Sequence, residues 1–135
     1  MFILVDTNIL LRLVEPAHSK HAIAAEAIRA IRDMGHRAVI VPQVVYEFWS
    51  VATRPVDVNG LGLTTFDTKL KLEGFSPTVC LLRDERTIYE HWLELVADHE
   101  VKGKQVHDAR LVAAMLRHEV SHLLTFNAQD FSRYA

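Results

Sequence analysis

A single cysteine, Cys80, stands in the 135 residues, which excludes an intramolecular disulfide and a metal cluster built on cysteine. A reducing cytoplasm is the expected home. Long uncharged runs are also missing, and none approaches the ~20 residues of a membrane-spanning helix, so no membrane partner is expected. The opening M-F-I-L-V-D-T-N lacks a basic n-region, and Asp6 cuts its apolar run short, so it does not read as an export signal. There is no surplus of positive charge: 15 Lys and Arg face 17 Asp and Glu, for a net charge of −2. A polyanion would have to be held by local cations or through a metal. Internal repeats and low-complexity tracts are absent. The one turn-rich interruption, P-V-D-V-N-G-L-G at 55–62, is too short for a domain linker. Half of the residues are apolar, and this length suits one domain, 1–135, with a real core.

What is present is an alternation of short apolar runs and helical patterns. Strands are predicted at Phe2–Val5, Ala38–Val41, Thr78–Leu82 and His122–Phe126. Between them the pattern predicts helices over Ile9–Val14 (with Thr7 and Asn8 as caps), after Ser19, over Gln43–Thr53 and over Thr64–Glu73. Two more are predicted from an Asp84 cap to Ala97 and over Gln105–His118. In the second helix Ile23, Ala27, Ile28 and Ile31 form the expected inward face. Strands alternating with helices favour a mostly parallel sheet covered on both faces, with ligands collecting outside the carboxyl ends of the strands.

Acids fall at that edge. Asp6 follows the first strand, and Glu47 lies early in the helix after the second. Asp108 is in the first turn of the last helix, and Asn127 and Asp130 follow the fourth strand in T-F-N-A-Q-D-F. Each has a structural reading: Asp6 as a cap, Asn127 and Asp130 as turn formers, and Glu47 on a solvated stripe with Gln43, Ser50 and Arg54, though so narrow a stripe on an otherwise apolar helix equally suits the lining of a cleft. Asp108 fits such a reading least well. In K-G-K-Q-V-H-D-A-R-L-V-A-A-M-L, helical rotation puts His107, Arg110, Ala114 and Arg117 on one solvated stripe. Asp108 then points roughly 140° away, among Lys104, Leu111, Val112 and Met115. An unpaired buried charge costs several kcal/mol, so either Lys104 pairs with it or something else supplies positive charge.

If the acids converge they need a cation, because two carboxylates 4 Å apart repel by about 4 kcal/mol at an effective dielectric of 20. Oxygen ligands without cysteine suit Mg²⁺ or Mn²⁺, and metal-assisted phosphodiester hydrolysis is the chemistry best matched. His18 and His21 lack a third ligand for zinc, and His107 falls on the exposed stripe.

Taken together, D-T-N-I-L-L at Asp6, V-P-Q-V-V-Y-E-F at Glu47, V-H-D-A-R-L-V-A-A at Asp108 and L-L-T-F-N-A-Q-D-F at Asn127 and Asp130 resemble the PIN domain, in family order and across nearly the whole chain. Within that family they resemble the VapC-type toxins of bacterial toxin–antitoxin pairs. The resemblance implies a three-layer α/β/α sandwich with a central parallel sheet, and an endoribonuclease dependent on Mg²⁺ or Mn²⁺. It implies that Asp6, Glu47 and Asp108 hold the metal, that Thr7 supports them, and that Asn127 and Asp130 complete the catalytic set. Many relatives carry an acid where this chain has Asn127, so one dependable metal is expected and a second is left open. An RNA substrate such as a tRNA, a homodimer and a cognate antitoxin are implied as well. Arg12, Arg54, Lys102, Lys104 and Arg110 are candidate phosphate contacts. Two alternatives stand beside this: a different metal-dependent nuclease or phosphatase, and a catalytically silent PIN-like module that binds protein.

Overall fold

The computed structural model describes residues 1–134. Four parallel strands, β1 (Phe2–Val5), β2 (Arg37–Ile40), β3 (Cys80–Leu81) and β4 (His122–Leu124), form one sheet in the order β3-β2-β1-β4. In register, Leu4 lies between Val39 and Leu123. Six α-helices connect or follow the strands: α1 (Thr7–Leu13), α2 (His21–Asp33), α3 (Pro42–Thr53), α4 (Thr65–Gly74), α5 (Arg86–Asp98) and α6 (Val106–His118). None is long and apolar enough to cross a membrane.

Topology decides where a site can form. From β1 the chain steps to β2 and β3 on one side, then crosses back to lay β4 on the other. Right-handed crossovers place α1–α4 on one face and α5–α6 on the other, in agreement with the contacts of α1 with α2 and α3, α3 with α4, and α5 with α6. The result is an α/β/α sandwich. The strand order reverses at the β1–β4 seam, and a crevice opens beyond the carboxyl ends of those two strands.

Central strands buried on both faces explain the uninterrupted apolar runs: Leu4, Val5, Val39 and Ile40 are all in the core. Pro42 opens α3 at a position where its missing amide hydrogen costs nothing, and Val44, Phe48 and Ala52 turn inward at helical spacing. Phe48 is fully buried and meets Phe75 edge to face, ring centroids 5.6 Å apart.

Several boundaries differ from the sequence reading. β4 stops at Leu124 because the amides beyond it turn to side chains: Phe126 N–H donates to Asn8 Oδ1 and Asn127 N–H to Thr125 Oγ1. β3 is shortened because the amides of Thr78 and Val79 are taken by the carbonyl of Phe75. Asp6, and neither Thr7 nor Asn8, is the N-cap of α1. Ser19 caps nothing, since α2 starts after Lys20, whose amide donates to His18 Nδ1. Asp84 is not a cap either; Glu85 precedes α5, and Asp84 pairs with Arg110 at 3.3 Å. Ile23, expected inward, is 58 % exposed, while Ala114, placed on the solvated stripe of α6, is buried. Ala114 is small enough for the neighbouring layer to close over it.

The 55–62 segment forms a short 3-10 turn, Val56–Val58, and folds back so that the Gly60 amide reaches Pro55 O and the Gly62 amide reaches Arg54 O. A Cβ on Gly60 would stand 1.9 Å from the carbonyl oxygen of Arg54, so only glycine fits that approach. Gly60→Ala is expected to lower the melting temperature by roughly 3–10 °C, the range that overpacking implies for a domain of this size. An unchanged melting curve would show that the turn gives way freely.

Candidate active site

Asp6 sits where β1 ends at the crevice, 8 % exposed. Its Oδ1 accepts the backbone N–H of Thr7 at 2.7 Å, and its Oδ2 accepts the hydroxyl of Thr125 at 2.7 Å. The direction of that second bond follows from a count. A threonine hydroxyl has one hydrogen and two lone pairs. Asn8 Nδ2 (3.3 Å) and the Asn127 amide (3.0 Å) both donate to Thr125 Oγ1, so its hydrogen is committed to Asp6. Burial raises the Asp6 carboxyl above the ordinary aspartate range, opposed by the bonds from Thr125 and Thr7, with the Asp130 charge adding to the rise.

Thr7 serves two acids at once, because its hydroxyl donates to Glu47 Oε1 at 2.8 Å. Glu47 Oε2 receives only a long bond of 3.4 Å from Gln43 Nε2. Gln43 belongs to no solvated stripe: it is 7 % exposed, its Nε2 donates to the carbonyl of His107 at 2.7 Å, and its Oε1 accepts from Arg110 at 3.3 Å. A carbonyl on one side and a guanidinium on the other fix which end of the amide faces which neighbour.

Asp108 lies in the first turn of α6, facing this cleft. Among the described residues it has no ion pair and no side-chain hydrogen bond, and Lys104 is exposed and unpaired with it. Burial, then the charges of Asp6, Asp130 and Glu47, push its carboxyl up to about 6, against a smaller opposing pull from His107. Acids that raise one another at a sheet edge favour a positive ligand between them.

Asp6, Thr7, Glu47 and Asp108 line a cleft of about 360 Å³ with Asn8, Leu11, Ser50, Val51, Arg54 and Asn127. Asp130 is outside that lining, exposed on the 3-10 segment Ala128–Tyr134, yet its charge acts on both Asp6 and Asp108. Among the described residues no group of three or more His, Cys, Asp or Glu side chains is arranged to hold a metal ion by itself. The donor chemistry nonetheless fits a hard cation, which takes one or two carboxylates, keeps several waters and completes its shell with phosphate oxygens.

The candidate cations separate clearly. Arg54 lines the cleft, and its recorded partner is Ser50 Oγ at 3.4 Å, with no carboxylate among the described residues. Arg12 is spent on Glu15 at 2.5 Å, and Arg110 on Asp84 and Gln43. Lys102 and Lys104 are exposed on the approach to α6. His21 Nδ1 is tied to the carbonyl of Arg12, and among the described residues no group of three metal-ligating side chains includes His18 or His21.

Sequence reasoning missed Thr125, Asn8 and Gln43. All three stand inside the quoted stretches, around Asn127, Asp6 and Glu47, so their positions were visible but their partners were not.

A family model for the PIN domain matches residues 3–135. No curated protein matches the sequence. Among solved structures, the fold is similar to VapC20 of Mycobacterium tuberculosis, a sarcin–ricin loop cleaving toxin, with TM-score 0.70 and 15 % identity over 97 % of this chain and 94 % of that one. It is similar to a chain of a toxin–antitoxin complex from Klebsiella pneumoniae, TM-score 0.65 and 21 % identity over 96 % and 90 %. VapBC2 of Rickettsia felis, bound to a DNA fragment from its promoter, gives TM-score 0.75 and 14 % identity over 98 % and 92 %. At such identities the likeness is one of fold.

Proposed function

This chain belongs to the PIN domain family, and on that premise we propose that it is a divalent-metal-dependent endoribonuclease acting as the toxin of a toxin–antitoxin pair. The observation that carries the reading is Asp108: a carboxyl pushed up to about 6 by burial and three other acids, and in no ion pair among the described residues. The fold-level likeness to a toxin that cleaves the sarcin–ricin loop supports RNA as the substrate. The likeness to a chain of a toxin–antitoxin complex supports an antitoxin partner.

Asp6 and Asp108, with Glu47, are the residues that would hold Mg²⁺ or Mn²⁺. When bound, the ion supplies positive charge to the scissile phosphate and lowers the pKa of water. The chain's own groups do the rest. Thr7 and Thr125 aim Asp6 and favour its charged form against burial, and the Thr7 hydroxyl fixes Glu47. Glu47, with one oxygen only weakly bonded, orients the attacking water or takes its proton. Attack at phosphorus breaks the bond to the 3′ oxygen, which takes a proton from solvent and leaves as the 3′-hydroxyl, while the phosphate stays on the 5′ side. Leu11 and Val51 form apolar parts of the wall, and Arg54 meets a neighbouring phosphate. Asn127 orients water at the position where an acid would add negative charge, which favours a single dependable metal, and Asp130 adds its charge from outside. The protein works as one domain, in the cytoplasm, as a homodimer. Its antitoxin covers the cleft with a segment carrying Arg or Lys, a fit for unneutralised carboxylates.

Incubation with a mixed tRNA and rRNA pool tests this. Discrete cleavage with Mn²⁺ or Mg²⁺, abolished by EDTA, is expected. Cleavage that survives EDTA, or cleavage of DNA in preference to RNA, would overturn it.

A further inference from the structure

A second concavity lies beside the acidic cleft, between α5 and the first turn of α6. It encloses about 330 Å³ and is lined by Glu85, Tyr89, Trp92, Val106, His107 and Arg110. We infer that it is a nucleobase subsite, taking an unstacked base of a single-stranded RNA segment next to the scissile phosphate; this rests on the nuclease reading above.

The lining has the form a flat heterocycle needs. Tyr89 is 58 % exposed, and its ring stacks beside that of Trp92, centroids 6.2 Å apart and planes inclined by 30°. The Trp92 indole N–H donates to the carbonyl of Val106 at 2.8 Å, which fixes the indole against the start of α6. An aromatic surface held still in this way loses little side-chain freedom on binding. The Arg110 guanidinium, held by Asp84 and Gln43 at 3.3 Å each, adds a fixed planar group to the lining. The acids at the rim are already neutralised: Glu85 pairs with Arg117, and Asp84 with Arg110. A polyanion therefore meets no free carboxylate from either.

Position ties this pocket to the cleft. His107 lines the pocket and Asp108, its chain neighbour, lines the cleft. Between the two spaces stands Gln43, bonded to Glu47 on one side and to Arg110 on the other. A strand whose phosphate lies at the acids thus has an aromatic platform within reach of a neighbouring base. At this volume the pocket is at the small end of ligand sites, sized for one ring system rather than a duplex. Stacking on aromatic rings is also the usual way in which proteins capture bases of unpaired RNA. A second copy of the chain is the competing occupant, since Leu93 on α5 is also exposed. The fixed aromatic lining, its paired rim acids and its place beside the cleft favour RNA.

The test uses the full chain without metal and follows the indole N–H signals of Trp49 and Trp92 by NMR, with Trp92 assigned by its loss in Trp92→Phe. Titration with AMP is expected to shift the Trp92 signal saturably and to leave Trp49 in place. Ribose 5-phosphate, which lacks the base, is expected to leave both unmoved. Tyr89→Ala is expected to weaken the AMP response roughly fivefold or more, in line with the usual worth of a base–aromatic stack. An unmoved Trp92 signal, an equal response to ribose 5-phosphate, or a shift that tracks protein concentration alone would overturn the subsite. The last of these outcomes would assign the pocket to a second copy. The readout needs neither metal nor cleavage, so the two readings fail separately. Intact RNA cleavage with a silent Trp92 sinks the subsite alone, whereas a responsive Trp92 in a protein that cleaves nothing sinks the nuclease reading.

Discussion

Asp108→Asn is expected to reduce metal-dependent RNA cleavage by about 10³-fold or more, while raising the melting temperature of the metal-free protein by about 2–5 °C. The two effects have one cause. Asp108 is buried enough to feel Asp6, Asp130 and Glu47, and those charges, together with burial, push its carboxyl up to about 6. At neutral pH without metal the ionised form is therefore held against repulsion. An amide keeps the shape and removes the charge. The gain is modest because the solvent-facing side of the carboxylate screens part of the repulsion. With metal present the sign reverses, since the same charge becomes attractive to the ion and its loss removes the ligand. Stability stored against function in this way is usual at active sites. Thermal melts in EDTA and cleavage rates in Mn²⁺ check both halves. A variant that melts lower in EDTA and still cleaves would mean that Asp108 is a structural acid.

Thr125→Val is expected to raise the Mn²⁺ concentration needed for half-maximal cleavage by about 10–100-fold, the usual range when a group supporting a metal ligand is removed. Valine matches threonine in shape but has no hydrogen for Asp6 Oδ2, and it leaves the Asn8 amide and the Asn127 N–H without their shared acceptor. Thr125 touches neither substrate nor reacting atoms; it is a positioning residue acting through Asp6. Thr125→Ser, which restores the hydroxyl, is expected to bring the metal requirement back to near wild type. A merely structural role would lower stability and maximal rate together, with the Mn²⁺ midpoint unmoved.

These two residues differ in how plainly the sequence announces them. Asp108 is conspicuous because helical rotation alone sets it among apolar neighbours, and the same periodicity locates α3 and α6. Asp6 stands out as the first charge after an apolar strand. Thr125 is different. Its role exists only because β4 lies beside β1, which brings it to Asp6 across 119 positions of chain. No local pattern encodes that. Gln43 is hard to read for a related reason: it shares a polar stripe with Glu47, and periodicity leaves such a stripe open to solvent or to a cleft without naming its partners. The first turn of α6, 64 positions away, covers it and turns a surface amide into a buried bridge. The expected Asp84 cap is displaced by the same layer, since the Arg110 guanidinium lies within reach of its carboxylate. Local physics thus made the strands, the helices and the acids legible, while the groups that aim the acids depend on which elements become neighbours.

Uptake of Mn²⁺ by the wild-type chain and by Asp6→Asn, counted by electron paramagnetic resonance in the absence of RNA, tests the metal site most directly. About one ion per wild-type chain is expected, held by carboxylates and water, with uptake lost in the variant. Equal uptake by both proteins, or none by the wild type at concentrations that support cleavage, would contradict the assignment of these acids to a metal.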